Sequence, residues 1–369
     1  MRIAIDAREV CGRPTGVGRY LAGLLTAWAA SETARRHQWT LLAPEPPSGA
    51  DHWNASVTVV GGTGGTAWEQ FTLPAAVRRE RPDVFFAPGY TAPLTVAAPL
   101  VLTIHDVSFF AHPEWFSFRE GLRRRLLTGW SARRARRVIT DTDFSRREIT
   151  QHIGIAERKL SVIPLGIDSR SADRSETRSS GRSDDRAPVV LFVGSVFARR
   201  RVDRLIAAFD IVSRRVPNAR LEIVGENRTR QPRIDLDALR LRTAHPDRIG
   251  IRSYVDDTTL AQLYRDASVF AFLSEYEGFG LTPLEALADG VPPVVLDTAV
   301  ARETCGDAAR YVGAGASDED IAHTLIEMLT DAAARQQVLA HGSEVLARYD
   351  WSRAAAQTLS VLEEAAIGG

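Results

Sequence analysis

Short apolar runs recur along the whole chain, and each is followed by a polar loop and a segment with helical periodicity. Runs of this length and composition predict buried strands. In the first half they occupy 2–7, 39–43, 57–60, 83–87, 100–104, 137–140 and 161–168, and in the second half 189–193, 221–224, 249–255, 269–273 and 294–296. Strands that alternate with helices favour parallel sheets, so the pattern predicts an α/β fold.

The pattern stops once, near the middle of the chain. Residues 169–186 contain no apolar side chain larger than alanine and are rich in serine, arginine and aspartate. Such a segment cannot join a core and is typical of a flexible linker. We therefore predict a first domain over 1–169, a linker over 170–187, a second domain over 188–350 and a final helix over 351–369.

Composition and charge exclude several classes of protein. The 369 residues have a formal net charge of zero, so nothing draws the whole chain toward nucleic acid. Two cysteines provide neither a disulfide framework nor metal-ligand spacing, and no apolar run is as long as a membrane span. The N-terminus has the pattern of a strand, not of a signal peptide, and we expect a cytoplasmic protein.

Residues 274–293, SEYEGFGLTPLEALADGVPP, carry the most specific motif. A buried strand over 269–273 leads into a glycine-rich loop, and Thr282 and Pro283 predict the N-cap and first residue of a helix. A helix N-terminus favours anions, because its first N–H groups lack partners within the helix. Glu277 and Glu285 flank this loop as acceptors for hydroxyl groups, so the segment predicts a sugar-phosphate site. The structural alternative is a capping box, in which Glu285 only caps the helix with Thr282.

Glu277, seven intervening residues and Glu285 resemble the paired-glutamate motif of the retaining glycosyltransferases of family four, which have the GT-B fold. The resemblance extends from the Gly16 loop to Trp351. It implies two Rossmann-like domains facing across a cleft, with the final helix returning to the first domain. The second domain would bind a nucleoside diphosphate sugar and the first would present the acceptor.

The resemblance also implies the reaction. A sugar would pass to a hydroxyl of a glycan or lipid-linked acceptor in polysaccharide biosynthesis, with retention and without metal or cofactor. The opening loop and the His105 segment are most similar to mannosyl-transferring relatives, which favours GDP-mannose as donor. The oligomeric state is left open.

The resemblance implies the site residues as well. Glu277 would hold the donor sugar, His105 would contact it, and Arg200 would stabilise the diphosphate where the family has a lysine; these three form the predicted catalytic set. Glu285 would bind the ribose. The predicted donor-binding set is Gly16, Val17, Gly18, Ser195, Arg199, Arg200, Tyr254, Val255, Glu277, Gly278, Phe279, Gly280, Leu281, Thr282 and Glu285. Ser195 departs from the family, which often has an arginine there.

Four features allow a structural as well as a functional interpretation. The glycine-rich segment 12–20 predicts either a tight turn or a diphosphate loop leading into a helix to residue 34. The arginines at 199–201 predict a solvated turn or a phosphate site. The predicted helix 114–137 has Leu122, Leu126 and Trp130 on one face, and its arginines at 123–125, 133, 134, 136 and 137 predict a solvated face or contact with anionic membrane. Asp141 and Asp143 predict helix-capping residues in preference to a metal site.

Two other functions remain open. A sugar-nucleotide epimerase of the same fold would turn over nucleotide sugar without an acceptor. A non-catalytic module would bind nucleotide sugar without turnover, and the intact Glu277, Glu285 and His105 count against it. A dinucleotide-dependent oxidoreductase is disfavoured, because the glycine-rich fingerprint is absent.

Overall fold

The computed structural model describes residues 1–12, 15–168, 187–230 and 233–367. These divide into two compact units, Met1–Gly166 with Tyr349–Gly369, and Ile167–Arg348. The predicted linker, 170–187, lies outside the described residues except for residue 187.

The first unit is built on a parallel sheet whose strands match the apolar runs of the sequence. Its strands are β1 (Arg2–Asp6), β2 (Gln38–Ala43), β3 (Ser56–Val59), β4 (Val84–Ala87), β5 (Leu100–Thr103), β6 (Arg137–Thr140) and β7 (Leu160–Val162). Its helices before the crossover are α1 (Gly16–Ala30), α2 (Leu73–Glu80), α3 (Ser108–Ala111), α4 (Phe118–Arg134) and α5 (Asp143–Ile153). A π-helix, Trp68–Thr72, precedes α2. The strand order is β3-β2-β1-β4-β5-β6-β7.

The second unit repeats this architecture with a parallel sheet of its own. Its strands are β8 (Val189–Val193), β9 (Arg220–Val224), β10 (Ile249–Arg252), β11 (Val269–Phe272), β12 (Pro293–Leu296) and β13 (Arg310–Val312), in the order β10-β9-β8-β11-β12-β13. Its helices are α6 (Val202–Arg215), α7 (Leu236–Leu241), α8 (Asp257–Asp266), α9 (Leu281–Ala288), α10 (Ala299–Cys305), α11 (Asp318–Thr330), α12 (Ala332–Ala340) and α13 (Gly342–Leu346). The predicted α/β class with two Rossmann-like parallel-sheet domains is confirmed.

The central strands are buried on both faces, as a parallel sheet covered by helices requires. Every residue of β4, β5, β11 and β12 is buried. This explains why these strands are continuous apolar runs in the sequence and do not alternate with polar residues.

Each sheet has one point where successive connections leave in opposite directions. In the first unit the chain runs from β1 outward to β3 and returns to β4 on the other side of β1; in the second it runs from β8 to β10 and returns to β11. Loops at the carboxyl ends of the strands separate at such a switch point and leave room for a ligand. The fold therefore places one candidate site after β1 and β4, and another after β8 and β11.

The last helix, α14 (Trp351–Ile367), belongs to the first unit and packs on α1. Trp28 of α1 donates its indole N–H to the Ala355 carbonyl over 2.9 Å. The Trp351 ring fits against Gly23 and Gly166, where a Cβ atom at either glycine would collide with it. Packing of these aromatic rings anchors α14 to the first unit.

Several predicted boundaries are wrong. The first helix begins at Gly16 and ends at Ala30, and the strand predicted over 161–168 ends at Val162, shortly before Pro164, which has no N–H for the ladder. The strand predicted over 249–255 ends at Arg252, and the helix predicted over 114–137 spans only Phe118–Arg134.

Candidate functional site

At the switch point of the second unit, three consecutive arginines bind the loop that follows β11. Arg199 donates from Nε to the Tyr276 carbonyl over 3.2 Å, and the Glu275 N–H donates to the Arg199 carbonyl over 2.9 Å. Arg201 donates from Nε to Glu275 Oε1 over 2.5 Å. The solvated-turn interpretation of these arginines is therefore wrong.

Arg200 forms the centre of this group. Its Nε donates to Glu277 Oε1 over 2.8 Å and its Nη1 to the Ser195 carbonyl over 2.9 Å, with both charged side chains 15% exposed. The guanidinium lies 5.0 Å from the centre of the Phe272 ring, within the range of a cation–π contact. Gly194 allows this approach, because at φ +141° it adopts a conformation that favours glycine and a Cβ there would lie 2.7 Å from Nη1.

Glu277 is an ionised acceptor at this position. Burial alone would raise the pKa of its carboxyl, but the charges of Arg200 and Arg199 and the hydrogen bonds from Arg200 and Ser274 lower that pKa below its usual value. Ser274 donates from Oγ to Glu277 Oε1 over 2.8 Å. Glu277 therefore presents a carboxylate held by a cation and a hydroxyl, which suits binding of sugar hydroxyl groups.

The helix after this loop starts differently from the prediction. Gly280, in the left-handed conformation with φ +89°, is the N-cap of α9 and Leu281 is its first residue. Thr282 is therefore not the N-cap, and the capping box with Glu285 is wrong. Glycine takes the position because the chain needs a positive φ there.

Glu285 is buried in α9, with 4% of the residue exposed. The residues of α9 from Pro283 to Ala288 are all buried. A carboxyl group in such a helix is unusual unless it is paired or has a function, so Glu285 stays a candidate ligand residue once capping is excluded.

A pocket with an empty volume of about 300 Å³ borders these residues, and Ser274, Glu277, Gly280, Pro283 and Cys305 line part of it. Burial raises the pKa of the Cys305 thiol to about 11, so the sulfur stays protonated near neutral pH. A protonated thiol is a poor nucleophile. The pocket therefore combines a carboxylate with the N-terminus of α9 and offers no reactive cysteine.

The structure brings only part of the predicted donor-binding set together. Ser195, Arg199, Arg200 and the segment 277–282 lie around the switch point of the second unit. Tyr254, 60% exposed, and Val255 follow β10 at the outer edge of the same sheet. They share the carboxyl edge of the strands with the arginine group but lie two strands away from β8.

In the first unit, Gly16, Val17 and Gly18 form the first turn of α1 after β1. Their N–H groups belong to the helix start, where amides have no partner within the helix. Val17 packs on Gly89 in the loop after β4, where a Cβ atom would lie 2.9 Å from Val17 Cγ1. Gly16 and Gly18 therefore lie in the first turn of α1, and not in a turn ahead of it.

His105 follows β5 and forms a close pair with Asp141, which follows β6. His105 Nδ1 lies 2.7 Å from Asp141 Oδ2, and Nε2 lies 3.0 Å from the Pro88 carbonyl oxygen. The rings of Tyr20 and Tyr90 face the imidazole edge-on, with centres 4.9 and 5.7 Å away. The carboxyl ends of three neighbouring strands therefore meet at this histidine.

The prediction that Asp141 caps a helix is wrong. Thr142 is the N-cap of α5 and accepts from the Ser145 N–H over 3.0 Å. Asp141 binds His105, and Asp143 pairs with Arg146 over 2.9 Å. In the part of the chain that the structure describes, no group of three or more potential ligands forms a metal site.

Sequence reasoning missed a buried charge cluster after β1. Arg8 pairs with Asp6 over 2.7 Å and with Glu69 of the π-helix over 3.0 Å. Burial raises the pKa of Asp6 to about 6, although Arg8 opposes this. Asp6 is the last residue of β1 and Asp141 directly follows β6, and a carboxylate at the carboxyl end of a buried strand is the signal that could have identified both.

Two family models match the chain in succession. Residues 14–171 match Glycosyltransferase Family 4, and residues 173–344 match Glycosyl transferases group 1. Together the two matches span residues 14–344 and support a glycosyltransferase of the family-four type.

Curated relatives agree with this class. Mannosylfructose-phosphate synthase of Agrobacterium fabrum is 30% identical over 49% of this chain and 41% of its own length. O-antigen chain mannosyltransferase B of Escherichia coli is 26% identical over 77% of this chain and 75% of its own. D-inositol 3-phosphate glycosyltransferase of Segniliparus rotundus is 30% identical over 57% and 49%. The chain thus spans less than half of the first and third relatives and three quarters of the second.

Solved structures establish the fold as GT-B. Sucrose-phosphate synthase of Thermosynechococcus elongatus superposes with a TM-score of 0.78 at 19% identity, covering 100% of both chains. HepE of Anabaena, solved in complex with UDP-glucose, gives a TM-score of 0.75 at 20% identity, covering 98% of this chain and 100% of its own. At these identities the likeness concerns the fold.

Proposed function

We propose that this protein transfers a sugar from a nucleoside diphosphate sugar to a hydroxyl of a glycan or lipid-linked acceptor, with retention and without a metal ion. The arrangement around Arg200 carries the proposal. A carboxylate suited to sugar hydroxyls, a guanidinium and a helix N-terminus suited to phosphate meet at one switch point. Phosphate charge would be balanced by these groups, and no step requires a metal.

In the proposed reaction the bond between the anomeric carbon and the donor phosphate oxygen breaks. The acceptor oxygen bonds to the same face of that carbon, and its proton passes to an oxygen of the departing diphosphate. The protein accelerates this step by stabilising the negative charge that develops on the leaving group. Arg200 and the first-turn amides of α9 serve that purpose, while Glu277 orients the sugar and Glu285 binds the ribose.

The comparisons support this choice over an epimerase or a binding module. Relatives include a mannosyltransferase and a sugar-phosphate synthase, and HepE was solved with UDP-glucose. The names of two relatives include mannose, which supports mannose as the transferred sugar, and GDP-mannose is the proposed donor. His105 would contact the sugar as in the resembling family.

The exposed residues of α4 support the proposal that the acceptor lies at an anionic membrane. Its apolar residues point outward: Phe118 is 77% exposed and Trp130 52%, with Leu122 and Leu126 also exposed. Exposed arginines at 119, 123, 133 and 134 lie among them. No helix in the described ranges is long and apolar enough to span a bilayer. Apolar and basic groups on one helix face fit the headgroup region of anionic lipid.

We expect the protein to float with vesicles that contain anionic lipid, and we expect Phe118→Ser with Leu122→Ser to abolish this. Binding should weaken as salt increases, because the arginines contribute through charge. Leu241, exposed to 66% on the second unit, supplies the matched control as Leu241→Ser. Equal flotation of the control and the double variant would contradict the membrane contact.

A panel of nucleoside diphosphate sugars tests the catalytic proposal. Melting temperature should rise with the true donor, because a ligand that binds only the folded state stabilises it. With that donor, sugar transfer should require an acceptor and should proceed in EDTA. Turnover to a new nucleotide sugar without acceptor would indicate an epimerase, and a strict need for a divalent metal would contradict the metal-free step.

The variant Glu285→Gln tests, in the same experiment, whether Glu285 binds the donor. Since no capping box exists, a normal melting temperature is expected without donor. Loss of a charge-assisted hydrogen bond worth about 1.5–3 kcal/mol should weaken donor binding about tenfold or more. Donor affinity equal to that of the wild type would remove Glu285 from the ribose site.

A further inference from the structure

Both nitrogens of the His105 ring face hydrogen-bond acceptors. The Pro88 carbonyl oxygen, 3.0 Å from Nε2, can only accept, so Nε2 carries a proton. Asp141 Oδ2 lies 2.7 Å from Nδ1. An ionised Asp141 also accepts only, and in that state Nδ1 must carry a second proton.

Asp141 has little alternative support for its charge. Its side chain is 2% exposed, and among the described residues Oδ1 has no hydrogen-bond partner. A buried carboxylate requires a compensating cation or several donors. The His105 imidazolium is the cation in contact with it.

The Pro88 carbonyl, which accepts the hydrogen bond from His105 Nε2, belongs to a strained turn. Tyr90 has φ +57°, which is rare for a residue other than glycine. The turn is held by Tyr90, whose hydroxyl donates to Asp106 Oδ2 over 2.8 Å, and by Thr91, whose hydroxyl donates to Glu69 Oε2 over 3.0 Å. The His105 bond to Pro88 is a further side-chain restraint on this turn, at the switch point of the first unit.

We propose that Asp141 is a positioning residue that holds His105 as a doubly protonated imidazolium. In this state the ring restrains the turn at 88–90 and cannot take a proton from the hydroxyl group that receives the sugar. The part of this inference that concerns the reaction rests on the proposed function. It agrees with transfer of the acceptor proton to the donor phosphate, because no nitrogen of His105 is left as a base.

The charges around His105 favour this state. Burial alone lowers the pKa of the imidazolium, but the charge and hydrogen bond of Asp141, the bond to Pro88 and the charge of Asp106 outweigh it, and the pKa is raised. Burial also raises the pKa of Asp141, against the effect of His105. Of the two tyrosines that face the ring, Tyr20 is a neutral phenol, because burial raises its pKa.

The sign of the pH dependence follows from these two directions. Both pKa values are raised on folding, so the folded pair binds more protons than the unfolded chain. The contribution of His105 to stability is complete below the unfolded pKa of histidine and is lost as pH rises through the folded pKa of His105. The raised pKa of Asp141 has the same sign and adds its own loss of stability as pH rises through the folded pKa of Asp141. Any activity that needs the imidazolium also falls as pH rises through the folded pKa of His105.

Nitrogen NMR of histidine-labelled protein tests the protonation state without substrate. Comparison with His105→Gln assigns the ring signals. We expect both His105 nitrogens to be protonated at pH 7, and the titration to move to lower pH in Asp141→Asn, whose neutral amide does not stabilise the cation. A neutral ring at pH 7 in the wild type would overturn the proposal, and that measurement does not depend on how the variant folds.

The pH profile of kcat/KM tests the link to the reaction. In Asp141→Asn the loss of activity with rising pH should begin at lower pH than in the wild type, and activity should be about tenfold or more lower where the wild type is still fully active, as expected when a charge-assisted bond is lost. Glu114→Gln, which removes the carboxylate 3.0 Å from the exposed His112, is the matched control and should leave the profile unchanged. An unshifted profile in Asp141→Asn would refute the link. A wild-type protein that transfers no sugar would remove the proposed function, while NMR would still decide the state of the ring.

Discussion

Arg200→Ala should lower kcat for sugar transfer by about 10²–10³-fold, the effect of removing one group that stabilises charge in the transition state. Arg200 is the cation bonded to Glu277 and lies beside the predicted diphosphate site. Its removal also takes away the larger of the two arginine charges that act on Glu277, which favours the protonated carboxyl and weakens its hold on the sugar. Initial rates and donor titration on the same protein measure both effects.

Two further variants decide whether the effect is specific. Arg200→Lys keeps the charge but cannot reproduce the bonds to both Glu277 and the Ser195 carbonyl, so activity should recover only in part. Arg204→Ala removes a neighbouring guanidinium that pairs with Asp318 and should leave kcat nearly unchanged. If Arg200→Ala turned over at a rate close to that of the Arg204 control, the proposed charge stabilisation would be refuted.

Trp28→Ala should lower the free energy of unfolding of the first unit by about 3–5 kcal/mol, the usual cost of removing a buried tryptophan side chain. Trp28 is 3% exposed, its ring stacks on Trp39 with centres 4.5 Å apart, and its N–H bonds to Ala355 of α14. The substitution therefore removes contacts that α1 makes with both the sheet and the last helix.

Trp130→Ala is the matched control, because the same side chain is 52% exposed on α4. We expect its free energy of unfolding to stay within about 0.5 kcal/mol of the wild type, as for most surface substitutions. Urea unfolding followed by circular dichroism avoids the loss of a tryptophan signal. Equal midpoints for the two variants would mean that Trp28 does not carry the contact between α1 and α14.

The pattern of apolar runs was sufficient to predict the two parallel sheets. Strands buried on both faces are mainly apolar: β4, β11 and β12 are so throughout and β5 has Thr103 as its one polar residue, so composition alone identifies them. The motif around Glu277 could be predicted in the same way, because a strand, a glycine-rich loop and a helix start are local features. The exact start of the helix was harder to predict. Gly280, and not Thr282, caps α9, because the positive φ at the end of the loop decides which residue is the N-cap.

The sequence by itself determined the α/β class, the separation into two halves and the succession of strand, glycine-rich loop and helix around Glu277, because all three depend on residues that are close in the chain. Only the tertiary structure decided which side chains meet. Arg200 and Glu277 are 77 residues apart, and His105 and Asp141 are 36 apart. Arg200 and Glu277 meet because β8 and β11, which are distant in sequence, are neighbours at a switch point. His105 and Asp141 meet because β5 and β6 lie side by side in the sheet. Strand order is not encoded in the periodicity of any single strand. The outward orientation of Leu122, Leu126 and Trp130 was decided in the same way, since a helical pattern defines a face but not what covers it.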